Sequence, residues 1–325
     1  MRLAIAAAVL CASSAASGGE PPIKAGMIGL DTSHAVAFTK FFRELGGRPD
    51  VPAVTVVAGC PMGMPDNPAS ADRIEGYTAA LAKDHGVAIV ATIEELLPRC
   101  DAILIESVDG RAHLEQARAV FASGKPVFID KPLAASYADA KEIVRLARES
   151  GTPFFSASAL RFCGAYQAVK NDAALGAVVG CDAFSPCALE PHHPDLYWYG
   201  IHGVDPLFLF MGRGCVEVRR VHTEAYELVV GRWSDGRIGT FRGARRGFQG
   251  FGATVWGEKA VRRTPERLEN LYEGLVVEIA RFFKTRKPPV DPEETLQVMA
   301  FMSAADLSKE RGGAPVSLAE VENGR

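Results

Sequence analysis

The chain of 325 residues has no Cys-x-x-Cys pair and no cysteine–histidine spacing of a zinc site, which excludes a structural zinc module. It lacks an excess of either charge: 36 basic residues stand against 39 acidic ones, a net charge of −3. General electrostatic attraction to nucleic acid or to anionic lipid is therefore excluded, and a small molecule is the expected partner. No apolar run reaches the roughly twenty residues that span a bilayer. No repeat or low-complexity tract stands outside the first twenty residues. With 48% hydrophobic and 23% charged residues, the composition is neither that of a disordered chain nor that of a coiled coil.

The opening residues carry a targeting pattern. Met1-Arg2 precedes the apolar run Leu3 to Ala12 and then small residues such as Ser14, Ala15, Ala16 and Ser17, which predicts a secretory leader over 1–20 and an exported, periplasmic protein. An uncleaved N-terminal anchor is the alternative. Beyond the leader stand Cys60, Cys100, Cys163, Cys181, Cys187 and Cys215. In a chain this large they read as small buried apolar residues, with a Cys181–Cys187 disulfide as the alternative in an oxidising compartment.

At roughly 150 residues per domain, the length predicts two domains. From Ile23 to about residue 155, short apolar strands alternate with amphipathic helices: Ile23–Ile28, a helix through Phe38 and Phe42, Val54–Ala58, Val87–Val90, Ala102–Ile105 and Pro126–Ile129. That rhythm predicts buried parallel strands joined by crossover helices. Beyond Phe162 the strands alternate in polarity instead. Tyr226–Trp233 and Arg237–Arg242, joined by Ser234, Asp235 and Gly236, predict a hairpin in an antiparallel sheet, followed by helices from about Tyr272 to Thr285 and Glu293 to Arg311.

The first strand ends Gly26-Met27-Ile28-Gly29-Leu30-Asp31-Thr32-Ser33-His34, where a dinucleotide fold places GxGxxG. Only Gly29 fits. Asp31 occupies the second glycine position and His34 the third, so a side chain crowds the diphosphate and a carboxylate faces it. At 5 Å and an effective dielectric near 20, two unit charges repel by about 3 kcal/mol. Asp31, Thr32 or Ser33 caps the following helix, or Thr32 and Ser33 contact phosphate or ribose. Strand two ends Ala58-Gly59-Cys60-Pro61 without a ribose-binding acid, which leaves NAD and NADP both open.

The stretch Ser123-Gly124-Lys125-Pro126-Val127-Phe128-Ile129-Asp130-Lys131-Pro132-Leu133-Ala134 closely resembles the Gfo/Idh/MocA oxidoreductase family. Asp130-Lys131-Pro132 matches that family's Glu-Lys-Pro, and Arg161-Phe162 its entry to the second domain. The family's DxGxHxxD motif is matched at three of four positions by Trp198-Tyr199-Gly200-Ile201-His202-Gly203-Val204-Asp205, with Trp198 in place of the first acid. The resemblance implies a Rossmann-like nucleotide-binding domain over 22–155. It also implies an α+β substrate and oligomerisation domain over 156–325, with an open, mostly antiparallel sheet.

The activity implied is hydride transfer between NAD or NADP and a sugar or polyol carbon. Lys131 and His202 are then the catalytic pair, and Gly29, Asp31, Thr32, Ser33, Asp130 and Lys131 the cofactor contacts. Arg161, Asp195, Trp198, Tyr199 and Asp205 are the candidate substrate contacts, although Pro206 makes Asp205 equally a helix N-cap. His192, His193 and Asp195 offer metal-ligating groups, but adjacent histidines do not easily reach one ion, so no metal is expected. Arg161, Arg242, Arg245 and Arg246 recognise an acidic sugar or lie on a solvated strand face. Export and the damaged glycine loop together point either to a tightly held, recycled cofactor, including a redox-neutral cycle, or to a sugar-binding scaffold without redox turnover. Self-association through the second domain's sheet is implied by the resemblance alone.

Overall fold

The computed structural model describes residues 20–324, so the expected leader, apart from its last residue, lies outside the described residues. Six strands form the first sheet: β1 (Ile23–Ile28), β2 (Val54–Cys60), β3 (Ala88–Ile89), β4 (Ala102–Ile105), β5 (Val127–Ile129) and β6 (Phe154–Phe155). They run parallel in the order β3-β2-β1-β4-β5-β6. Every residue of β4 and β5 is buried, because helices cover both faces. The order reverses between β1 and β4, which opens a crevice at the carboxyl ends of those strands. Helix α1 (Ser33–Leu45) starts there; Thr32 is its N-cap, its side chain accepting from the His34 amide at 3.3 Å.

The second sheet has seven strands: β7 (Val178–Pro186), β8 (Cys215–His222), β9 (Tyr226–Trp233), β10 (Ile238–Ala244), β11 (Gly252–Gly257), β12 (Val261–Arg263) and β13 (Val316–Ser317). Their order is β12-β11-β7-β10-β9-β8-β13, antiparallel except for the β7–β10 pair. The predicted hairpin is β9–β10, with Gly236 supplying a positive φ of 88° in its turn. Helix α2 (Ile201–Met211) lies directly on this sheet: a Cβ at Gly203 would come 2.3 Å from the Phe241 ring. The opposite face is open, with Val179, Val221, Ile238 and Trp256 exposed.

The expected boundary near 155 separates the two sheets, but helix α3 (Glu273–Thr285) returns to the first domain. Its Leu275, Val276, Ile279 and Phe282 share one core with Phe38, Phe128 and Phe155, and Phe282 meets Phe155 edge to face at 5.1 Å. Helix α4 (Pro292–Glu310) then packs on the second sheet. The six described cysteines are buried and free, so Cys181 and Cys187 are not bridged.

Candidate active site

Gly29 leaves β1 at φ +80°, and a Cβ there would lie 2.2 Å from the Ser107 hydroxyl and 2.4 Å from its amide nitrogen. The loop after β4 thus packs directly on the glycine turn. Asp31, expected to face the diphosphate, turns inward and is fully buried. One carboxylate oxygen accepts from the Val108 amide at 2.9 Å and the other from the Ser70 hydroxyl at 2.5 Å. Burial raises its pKa, and those two hydrogen bonds oppose the rise. The N-terminus of α1 is left facing the crevice, with Ser33 exposed.

From β5, Asp130 is buried and accepts or shares a hydrogen bond with His34 Nδ1 at 2.8 Å. Lys131 follows, 9% exposed, ahead of a cis peptide bond to Pro132. Behind them His113 ties the two loops together, its ring nitrogens each 2.9 Å from a carbonyl oxygen, those of Pro132 and Ser107. A cavity of about 370 Å³ sits in front, lined by Thr32, Ser33, His34, Arg73 and Lys131 together with Trp198, Tyr199, His202, Phe251 and Tyr272, the last of which packs against His34 at 5.0 Å.

His202 enters from the first turn of α2. Its Nδ1 is 2.8 Å from the Ser158 hydroxyl, and Tyr199 and Phe251 flank the ring at 4.8 and 6.0 Å. Desolvation in the cavity wall, reinforced by the nearby Lys131 ammonium, holds its pKa well below the usual histidine range. The site therefore presents a neutral imidazole opposite a lysine.

The remaining expected residues fall into two groups. Trp198 and Tyr199 line the cavity, whereas Arg161, Asp205 and Asp195 do not. Asp205 accepts from Arg161 Nε and Nη2 at 2.8 and 2.6 Å and from the Ser158 amide at 2.7 Å, while Arg161 Nη1 donates to Glu294 at 2.6 Å. This buried pair braces Ser158. Nor is Asp205 an N-cap: it lies inside α2, and Pro206 lacks the N–H that would bond back to the His202 carbonyl. Asp195 accepts from Arg220 at 3.0 Å and Lys309 at 2.6 Å, in a network with Glu227 and Asp306 away from the cavity. Arg245 donates to Glu227 at 2.6 Å, and Arg246 pairs loosely with Glu224 on the surface. His192 pairs with Glu190 at 2.9 Å, and burial lowers His193 to about 4. Sequence reasoning missed Ser158, Arg73, Phe251 and Tyr272, which carry no motif. It also missed Glu106, the acid that ends the apolar run of β4.

The donor set fits a dinucleotide. The first turn of a 13-residue helix, the exposed Ser33 hydroxyl and the Arg73 guanidinium offer amides and positive charge to a diphosphate, and the inward turn of Asp31 removes the facing carboxylate.

Residues 67–158 match the model of the Gfo/Idh/MocA family, described as an oxidoreductase family with an NAD-binding Rossmann fold. A 1,5-anhydro-D-fructose reductase of Ensifer adhaerens is 34% identical over 120 residues, 35% of this chain and 36% of that protein. An inositol 2-dehydrogenase of Cereibacter sphaeroides is 34% identical over 125 residues, 38% of this chain and 32% of that protein. The chain spans about a third of the length of these curated relatives. The crystal structure of a probable dehydrogenase from Thermotoga maritima superposes with a TM-score of 0.75 at 19% identity, covering 92% of this chain and all of that one, a likeness of fold. Over residues 67–158 the chain is thus similar in sequence to the Gfo/Idh/MocA family, and over most of its length it shares the fold of that dehydrogenase.

Proposed function

We propose that the chain is an oxidoreductase that moves a hydride between NAD or NADP and a CH–OH carbon of a sugar or polyol. The observation that carries this reading is that Lys131 of the first domain and His202 of the second wall one cavity. The relatives named above, a sugar reductase and an inositol dehydrogenase, support the substrate class.

When bound, the nicotinamide accepts or donates the hydride. The chain's own residues handle the proton. With Nδ1–H donating to Ser158, the Nε2 atom of His202 carries the lone pair that takes the hydroxyl proton. The Lys131 ammonium stabilises the alkoxide as charge develops on that oxygen. Trp198 and Tyr199 offer aromatic faces to the apolar side of a sugar ring. Ser33, Arg73 and the amides of the first turn of α1 hold the diphosphate.

The purified protein is denatured and its supernatant examined by mass spectrometry for NAD and NADP. Retained cofactor supports a recycled, redox-neutral cycle; reversible binding of added cofactor supports an external redox partner. Absence of both ends the redox reading and leaves the sugar-binding alternative, which Trp198 in place of an acid favours. Lys131→Ala and His202→Ala are expected to lower turnover by about 10² or more, as general acid–base groups do. The leader pattern at Leu3–Ala12 supports export, to be checked by fractionating cells that express the full chain. The open face bearing Val179, Val221, Ile238 and Trp256 supports self-association, to be checked by sedimentation.

A further inference from the structure

Beneath the cavity, three groups converge that the hydride reading leaves without a task. Glu106 is fully buried at the end of β4, and neither of its carboxylate oxygens has a hydrogen-bond partner. Asp130, 1% exposed at the end of β5, also has an unpartnered oxygen, Oδ1. His34, in the first turn of α1, supplies an imidazole whose Nδ1 is 2.8 Å from the other Asp130 oxygen. One ligand atom from each of the three lies within 4.8 Å of the others. Topology brings them together: β1, β4 and β5 are neighbours in the sheet, Glu106 and Asp130 directly follow β4 and β5, and His34 stands in the first turn of the helix that follows β1.

Orphaned acceptors in a protein interior are uncommon, and each calls for a missing donor, water or ion. Here the two carboxylates of one buried cluster carry three such oxygens. A cation supplies what the cluster lacks. One imidazole nitrogen and two carboxylates form a mixed nitrogen and oxygen set, suited to a divalent first-row transition ion, and three protein ligands leave coordination positions open. At metal–ligand distances of roughly 2.0–2.2 Å, tetrahedral ligand atoms lie about 3.4 Å apart, so the cluster needs only a modest contraction.

We propose that His34, Glu106 and Asp130 form a binding site for one divalent cation of the Zn²⁺ or Mn²⁺ class at the floor of the cavity. Binding at Nδ1 replaces the His34–Asp130 hydrogen bond with two metal–ligand bonds, the ring proton of the neutral imidazole being carried on Nε2. The site stands on these residues alone and does not depend on dinucleotide binding.

The full chain is stripped with a chelator, dialysed and titrated with Zn²⁺ and with Mn²⁺ by calorimetry, with bound metal counted by elemental analysis. The expected result is one equivalent bound, with a higher Tm. Glu106→Gln and His34→Gln each weaken binding at least tenfold, whereas His192→Ala leaves it unchanged. X-ray absorption of the loaded wild-type protein, which needs no variant to fold, is expected to show one imidazole nitrogen with oxygen neighbours. No saturable binding by the wild-type chain, undiminished binding by a folded Glu106→Gln variant, loss of binding in His192→Ala, or a shell without imidazole would overturn the proposal.

Discussion

His202 Nδ1 lies 2.8 Å from the Ser158 hydroxyl, and the Ser158 amide in turn lies 2.7 Å from Asp205. The ring is thus aimed by a serine that a buried ion pair holds in place. Ser158→Ala is expected to lower kcat about tenfold with a smaller change in KM, because the imidazole keeps its position on α2 but loses the partner that fixes its tautomer. An unchanged kcat would remove Ser158 from the site.

The acid limb of the activity profile should fall below the usual histidine range. His202 acts in its neutral form, and folding penalises the charged form, so the proton is taken up only below the ordinary value of about 6.5. The same sign governs stability: this contribution is intact above about pH 6.5 and is lost as the pH falls further. A kcat/KM profile for the wild-type chain checks the first statement; a limb at or above pH 6.5 would contradict it.

Arg161→Met removes the guanidinium from two acids, Asp205 and Glu294, of which Asp205 is buried. Leaving a buried carboxylate without its counter-charge costs about 3–5 kcal/mol. Urea denaturation should show that loss, and Arg161→Met with Asp205→Asn should recover part of it, since the double change removes both charges. Equal loss in the single and double variants would show that the pair is not coupled.

Asp31→Asn separates crowding from charge. The carboxylate points toward Val108 and Ser70, away from the crevice, so the change should alter cofactor affinity by less than about threefold while lowering stability through the Ser70 and Val108 contacts. A gain of two orders of magnitude, near the 3 kcal/mol of a facing charge, would place the acid back against the diphosphate.

Gly29→Ala should destabilise the fold by at least about 2 kcal/mol, measured by the shift in urea midpoint. A φ of +80° strains any side chain, and the Ser107 backbone stands 2.4 Å from the new carbon. A loss below about 0.5 kcal/mol would mean that the loop after β4 yields freely.

Much of this architecture was legible in the residue pattern. Alternating apolar strands and crossover helices gave the parallel sheet, and Ser234-Asp235-Gly236 gave the hairpin, because local backbone chemistry decides both. Lys131, His202, Trp198 and Tyr199 were legible as neighbours through the family motifs and do line one cavity. Side-chain direction was not legible. Whether Asp31 faces the crevice depends on Ser70 and Val108, 39 and 77 residues away in the chain. Arg161, Asp195 and Asp205 looked free on the sequence, but their partners Glu294, Arg220 and Lys309 arrive from elements placed only by the tertiary fold. Pro206 was misleading for a related reason, since packing on the second sheet carries α2 through a residue that ordinarily starts a helix.

Helix α3 binds the two halves into a single mechanical unit. The chain leaves the first sheet after Phe155, returns at Glu273 and departs again after Thr285, so a fragment ending near 155 would present the Phe38, Phe128 and Phe155 rings to water. Neither half is a free-standing bead on a tether, and the mouth between Lys131 and His202 can widen only as far as the three strands of covalent chain crossing it allow.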